Sequence, residues 1–320
     1  MIENSEISAM ERSHDGFRYS VYGMHLHSEV RLPELKLLPD ASIEHADVAI
    51  KFGSVPDQIV ASAPSTSWIE GNEERCLIKV PGVAKFLAEQ GHRITVEKED
   101  QASYSDVRGF LLGSGLAAIL HQRGMVPLHV SATLSPEGII AFTGDSGAGK
   151  STMVAHLHQM TGWGLVSDDV SALHRTDQGF FLESGVNTVK LWKDALASLN
   201  RTSDGLKRDL TRFDKFHAIE PSKFLVGKFP LKRLICLEWG ESLDIRPVTG
   251  RRAFEIAMGA VYRPEFATIC GNRETVVQGA MALASKIEIR LLTRPKSDVV
   301  ASGVEESIRH AILSDLDAML

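Results

Sequence analysis

The sequence predicts an α/β protein: a flexible N-terminus at 1–15, a β-rich N-terminal domain over 16–104, and a second domain with a mixed sheet over 105–320. Three observations predict it. Short segments in which polar and apolar residues alternate, separated by turn residues, fill the first third. A helical pattern follows over 106–124. An apolar strand at 138–143 then runs directly into a glycine-rich loop and a helix.

The elements follow in order. "FRYSVYGMHLHSEVRLPEL" reads as one alternating strand stopped by Pro33. "ADVAIKFG", "CLIKVPGVAKFLAEQG" and "HRITVEKE" supply further short strands with turns between them. His25 and His27 share one strand face, and with no further ligand nearby that face reads as solvated. "DVRGFLLGSGLAAILHQRG" reads as a helix closed by Gly124, whose small residues suit close packing. "VPLHVSATL" and "GIIAFTG" read as two apolar strands around the turn "SPEG". After the loop come a helix, "STMVAHLHQM", and a strand-like stretch, "GWGLVSDDVSALHR", which "TDQG" turns back into "FFLE". The final "GVEESIRHAILSDLDAML" carries apolar residues at helical spacing, suited to core packing or a subunit contact.

Composition narrows the function classes. With 43% apolar and 24% charged residues, the chain has the make-up of a soluble globular protein. A net charge of −6 disfavours nucleic acid as a partner. No apolar run reaches the roughly 20 residues of a membrane helix. The polar, acidic opening is unlike a secretory signal, so a cytoplasmic location is expected. Cys76, Cys236 and Cys270 are too scattered for a metal motif or a disulfide framework and read as buried apolar residues.

"TGDSGAGKST" at 143–152 carries the chemistry. Gly144, Gly149, Lys150 and Ser151 match G-x-x-x-x-G-K-[ST] between a strand and a helix. Glycines let successive N–H groups point inward as an anion cradle, and the helix N-terminus adds partial positive charge. Gly144, Asp145, Ser146, Gly147, Ala148, Gly149, Lys150, Ser151 and Thr152 are therefore the expected nucleotide-binding residues. Lys150 suits the β/γ-phosphates of ATP, and Ser151 suits Mg²⁺.

Asp168 and Asp169, in "LVSDD", stand at the end of the very next strand. Adjacent strand residues face opposite ways, so the pair is expected to divide labour. One, taken as Asp168, joins Ser151 at the metal. The other, taken as Asp169, accepts the proton of an alcohol. The bland alternative is that two aspartates simply mark a turn.

His129 in "PLHVSA", then "TGDSGAGKS", then "LVSDDV" together resemble the HPr serine kinase family, itself distantly similar to ATP-dependent phosphoenolpyruvate carboxykinase. The resemblance covers about 125–175. It implies an HPr-kinase-like P-loop domain in which an aspartate of the pair activates a serine hydroxyl and His129 assists at the same centre. It also implies a homo-oligomer. The chain departs from HPr kinases at Thr152, where an acidic residue is usual, and lacks their later glycine-rich segment. The segments found instead, "VKLWKDAL" among them, and the opening strand resemble the kinases of lasso-peptide gene clusters. That implies the C-terminal serine of a precursor peptide as acceptor. The alternatives are an HPr-type protein-serine kinase, a small-molecule kinase, or a non-catalytic ATP-dependent peptide-binding module.

Other cations stay open. Lys190 and Lys215 suit either transferring phosphate oxygens or a solvated surface. Arg251, Arg252 and Arg263, expected after the last core strand, have the fork geometry for phosphate or carboxylate.

Overall fold

Two-residue periodicity produces the first layer of the fold. The computed structural model describes residues 12–39, 45–60, 66–209, 214–219, 223–295 and 312. Among these, β1 (Arg12–Val21), β2 (Met24–Val30), β3 (Lys36–Leu37), β4 (Val48–Phe52), β5 (Ile69–Gly71), β6 (Arg75–Val80), β7 (Ala84–Glu89) and β8 (Arg93–Lys98) form one sheet in the order β3-β1-β2-β4-β8-β7-β6-β5. β4 runs parallel to β2 and to β8, and the other neighbours are antiparallel. His25 is exposed and His27 half-buried on β2, while Met24, Leu26 and Val30 face the core.

Two expectations change here. The segment read as a single strand is a hairpin, turned at Tyr22 (φ 54°) and Gly23 (φ 72°). Positive φ at both positions is the tight turn that matches strand twist, and a tyrosine there conceals it in sequence. β1 also begins at Arg12, inside the stretch expected to be flexible, because it pairs with Val30 through a register shift before Phe17. Residues 1–11 lie outside the described residues.

Helix α1 (Tyr104–Phe110) starts at Ser103, whose Oγ accepts the Asp106 N–H at 3.0 Å. It continues through a π turn (Leu111–Gly115) into α2 (Leu116–Gln122), so the expected single helix is interrupted where Gly113 and Gly115 lie. Tyr19, Leu26, Ile94, Leu111 and Leu116 share one buried core with Val170, Ala172, Tyr262 and Phe266. The first sheet and the later chain are thus packed against the same helical layer.

The second sheet is mixed. β9 (Val126–Leu128), β10 (Ser131–Ser135) and β11 (Gly138–Thr143) lead into the loop and α3 (Lys150–Thr161). β12 (Gly164–Ser167), β13 (Ser171–Thr176) and β14 (Gly179–Glu183) follow. β15 (Val189–Trp192), α4 (Lys193–Ser198) and β16 (Lys215–Ile219) make a separate two-stranded unit. β17 (Lys228–Trp239), β18 (Asp244–Val248), α5 (Gly250–Gly259), α6 (Pro264–Ile269), α7 (Arg273–Lys286) and β19 (Glu288–Arg294) complete the described chain. β17 is the hinge of this sheet: it pairs in parallel with β11 and β19, and its first residues pair with β14.

Both faces of the sheet are covered, which explains near-continuous apolar runs such as "GIIAF". Ile139 and Ala141 pack toward Ala253, Ile256 and Leu283 of α5 and α7. Ile140 and Phe142 pack with Met153, Val154 and Leu157 of α3. The stretch expected to hold one strand at 126–134 breaks at His129 and Val130, sending β9 to β13 and β10 to β11 and β12. β17 is not the last core strand: β18 and β19 extend the sheet beyond it. The expected C-terminal helix lies outside the described residues, Ile312 excepted. No helix among the described residues is long and apolar enough to cross a membrane.

Candidate active site

The glycine loop turns from β11 into α3 with Gly144 at φ 132°, Gly147 at 83° and Gly149 at 84°. Space demands Gly144 as much as dihedral angle does, whereas at Gly149 the dihedral angle is the stronger demand. A Cβ at Gly144 would collide with the Leu237 carbonyl of β17, and one at Gly149 with Arg294 Nη2 of β19. Ala148 is buried under the loop, while Asp145, Ser146 and Gly147 face outward. Lys150 begins α3 and is buried; its Nζ donates to Gly144 O at 2.8 Å and to Asp145 O at 3.2 Å. Burial lowers its pKa, and the carboxylates of Asp169 and Asp168 oppose that effect. Ser151 and Thr152 sit half-buried on the first turn.

The acidic pair occupies the turn between β12 and β13, and the turn separates its members. Asp168 is buried. Ser131 Oγ donates to its Oδ1 at 2.5 Å, and the Lys190 backbone N–H donates to its Oδ2 at 3.2 Å. Burial raises its pKa; Ser131, Lys215 and the Ser151 hydroxyl act in the other direction. The Ser151 hydroxyl thereby links the first turn of α3 to Asp168. Asp169 is exposed, at φ 93°, a conformation that L residues seldom adopt. Ser167 Oγ donates to Val170 O at 2.5 Å and closes the turn.

His129 stands at the break between β9 and β10, with Nε2 3.4 Å from Asp169 Oδ1. Its ring meets Tyr262 edge to face, centroids 5.6 Å apart, and its N–H donates to Ala260 O at 2.6 Å. Burial lowers the His129 pKa, against the pull of Asp169. The net shift favours the neutral imidazole. His129, Lys150, Ser151, Asp168 and Asp169 thus converge from three separate segments.

The uncommitted cations separate. Lys190 Nζ pairs with Asp209 at 2.7 Å, and His217 Nε2 lies 3.5 Å from the same carboxylate. Burial disfavours the charged Lys190, but Asp209 outweighs it and its pKa is raised. Lys215 acts electrostatically on Asp168, Lys150 and His129, and its Nζ lies over the Trp192 ring, 5.9 Å from the centroid. Arg251 and Arg252 are exposed on α5 and pair with Glu255, Arg252 also with Glu238. Arg263, at φ 52°, stacks over Trp68 at 5.0 Å and Tyr262 at 5.6 Å.

Sequence reasoning missed the supports. Ser131 follows His129 at the alternation of a strand, a signal present in "HVSA" but silent about its partner. Tyr22, at the tip of the first hairpin, is fully buried; its N–H donates to Ser184 O at 3.1 Å, and it lies in electrostatic reach of Asp169. A Cβ on Gly185 would collide with Val170 O and come within 3.0 Å of Tyr22 Cε1. Gly185 is therefore packed closely against both the acidic turn and a tyrosine from the other sheet.

The donors fit Mg²⁺ rather than a metal caged by protein. Among the described residues no group of three or more His, Cys, Asp or Glu is arranged for a metal. Mg²⁺ needs only one or two protein oxygens beside phosphate and water, and Ser151 and Asp168 are hard oxygen donors placed together.

No protein-family model matches the sequence, and no curated protein matches it. Among solved structures, the chain is similar to the HPr(Ser) kinase/phosphatase from Coxiella burnetii over 59% of its own length and 97% of that chain, with 12% identity and a TM-score of 0.31.

Proposed function

We propose that this protein is an ATP-dependent kinase that transfers the γ-phosphoryl group to a serine hydroxyl of a peptide, the C-terminal serine of a lasso-peptide precursor being the preferred acceptor. The observation that carries the reading is the division within the acidic pair. Asp168 is buried and gripped by Ser131, Ser151 and the Lys190 N–H, whereas Asp169 is exposed beside His129. A turn without chemistry has no need to hold one carboxylate rigid and present the other.

In this reading the backbone N–H groups of 144–151 bind the phosphates and Lys150 offsets charge on the transferring group. Ser151 and Asp168 would hold Mg²⁺, which supplies neutralisation of phosphate charge when bound. Asp169 receives the serine proton as the serine Oγ–phosphorus bond forms and the bond from phosphorus to the β–γ bridging oxygen breaks, leaving ADP. A serine hydroxyl is a very weak acid, so proton transfer comes late and position matters more than basicity. Neutral His129 orients the Asp169 carboxylate. Lys215 adds positive charge on the same side.

The test is incubation of the chain with ATP, Mg²⁺ and peptides ending in serine, in serine amide or in alanine, with mass spectrometry for one added phosphate. Phosphate on the serine peptides alone is expected. Transfer to HPr-like proteins or small alcohols instead would move the acceptor class. Transfer to none, with ATP bound, would leave a binding module.

A further inference from the structure

Beside the phosphate loop stands a large aromatic residue that none of the chemistry above uses. Trp239 ends β17 and is 45% exposed. Arg294 ends β19 and is its direct register partner in the parallel pair, so both side chains leave the sheet on one face. The Arg294 guanidinium carbon lies 4.5 Å from the Trp239 ring centroid. Leu237, two residues earlier on that face, packs in the core shared with α3, and its carbonyl is the one that crowds Gly144. Arg294 Nη2 donates to Ala148 O at 2.5 Å and occupies the space a Cβ on Gly149 would need. The loop is thus laid on the ends of β17 and β19, and Arg294 links it to the Trp239 indole.

We propose, resting on the kinase reading, that Trp239, backed by Arg294, is the seat of the nucleotide's base. The location is chemically apt: ligands of open α/β sheets lie outside the carboxyl ends of parallel strands, where β11, β17 and β19 all finish. A phosphate cradle recognises any polyphosphate, so selection for a nucleotide needs a flat apolar surface beside it. An indole is the largest such surface a protein offers, and the charged guanidinium stacked on it fixes the ring plane. Water-exposed tryptophan is otherwise a poor use of apolar area, and Arg294 is anchored to the loop itself, which ties the ring's position to that of the phosphates.

The experiment compares ATP with inorganic tripolyphosphate, both with Mg²⁺, on the full chain and on Trp239→Ala and Trp239→Phe, by calorimetry, with thermal melts to verify folding. Wild type is expected to bind ATP more tightly than tripolyphosphate. Trp239→Ala should weaken ATP about tenfold or more, as loss of base stacking does, and leave tripolyphosphate unchanged. Trp239→Phe should recover most of the loss. Equal weakening of both ligands would overturn the inference and make Trp239 a prop for Arg294 and the loop. So would an alanine variant that binds ATP like wild type. If wild type binds tripolyphosphate and ATP equally, the base seat falls and the phosphate loop stands; if it binds neither, the kinase reading falls first.

Discussion

His129 Nε2 and Asp169 Oδ1 are 3.4 Å apart, although one residue comes from a break between β9 and β10 and the other from the β12–β13 turn. A neutral imidazole can donate one hydrogen bond to a carboxylate without lowering its proton affinity as a full cation would. Asp169→Asn is expected to slow phosphoryl transfer by about a hundredfold or more while ATP binding stays within a few-fold. His129→Ala should have the smaller effect, about tenfold on transfer. Single-turnover kinetics beside direct ATP titration separates the two, and an Asp169→Asn enzyme with wild-type turnover would sink the assignment.

Lys150 presents its ammonium to the loop carbonyls of Gly144 and Asp145, within the electrostatic reach of both aspartates. Lys150→Ala is expected to weaken ATP about ten- to a hundredfold, the worth of one charge-assisted contact. Lys150→Arg should not restore it, because a broad planar fork replaces a compact point charge in a buried position. Calorimetric titration reads both.

The acidic turn depends on what lies behind it. Gly185→Ala forces a Cβ into Val170 O and should cut transfer far more than it weakens ATP binding, since the phosphate loop is elsewhere. Tyr22→Ala empties a fully buried site and should cost about 3 kcal/mol in stability. It should also slow transfer in the remaining folded protein. Denaturant melts and kinetics on the same preparations distinguish loss of fold from loss of alignment.

Asp209 lies under Lys190 and His217, and its carboxyl is held down at about 2: burial opposes ionisation, but the His217 hydrogen bond and Lys190 prevail. A depressed carboxylate contributes stability that is complete above its unfolded pKa and is lost as pH falls through the folded value. Asp209→Asn should therefore destabilise the protein by about 1–3 kcal/mol at pH 7, leaving Lys190 charged and poorly compensated. The gap between variant and wild type should close as pH is lowered toward 2. Urea melts across that range would show it, and a gap independent of pH would exclude the ion-pair account.

What was legible in the sequence was local. The strand, loop and helix around Gly144–Ser151 are contiguous, and glycine spacing encodes their geometry directly. The acidic pair was legible because it ends the next strand. The supports were not, because each depends on distant chain. Ser131 reaches Asp168 only once β10 lies between β11 and β12. Tyr22 reads as a strand residue, and its positive φ appears only with the hairpin that requires it. The break at His129 was hidden because β9 and β10 are both largely buried and no glycine marks the change of direction. Lys190 and Lys215 are indistinguishable as letters; Asp209 and the register of β15 with β16 decide between them.

The single core that joins Tyr19, Leu26 and Ile94 to Val170, Tyr262 and Phe266 has an evolutionary corollary. Sequence change on one side of it constrains what is tolerated on the other, so the opening sheet cannot be traded between related chains as an independent cassette. A chimera that imports a foreign hairpin would have to import its matching surface at 183–185 and 260–269 too. Covariation between those stretches is the mark this packing should leave in any lineage that carries it.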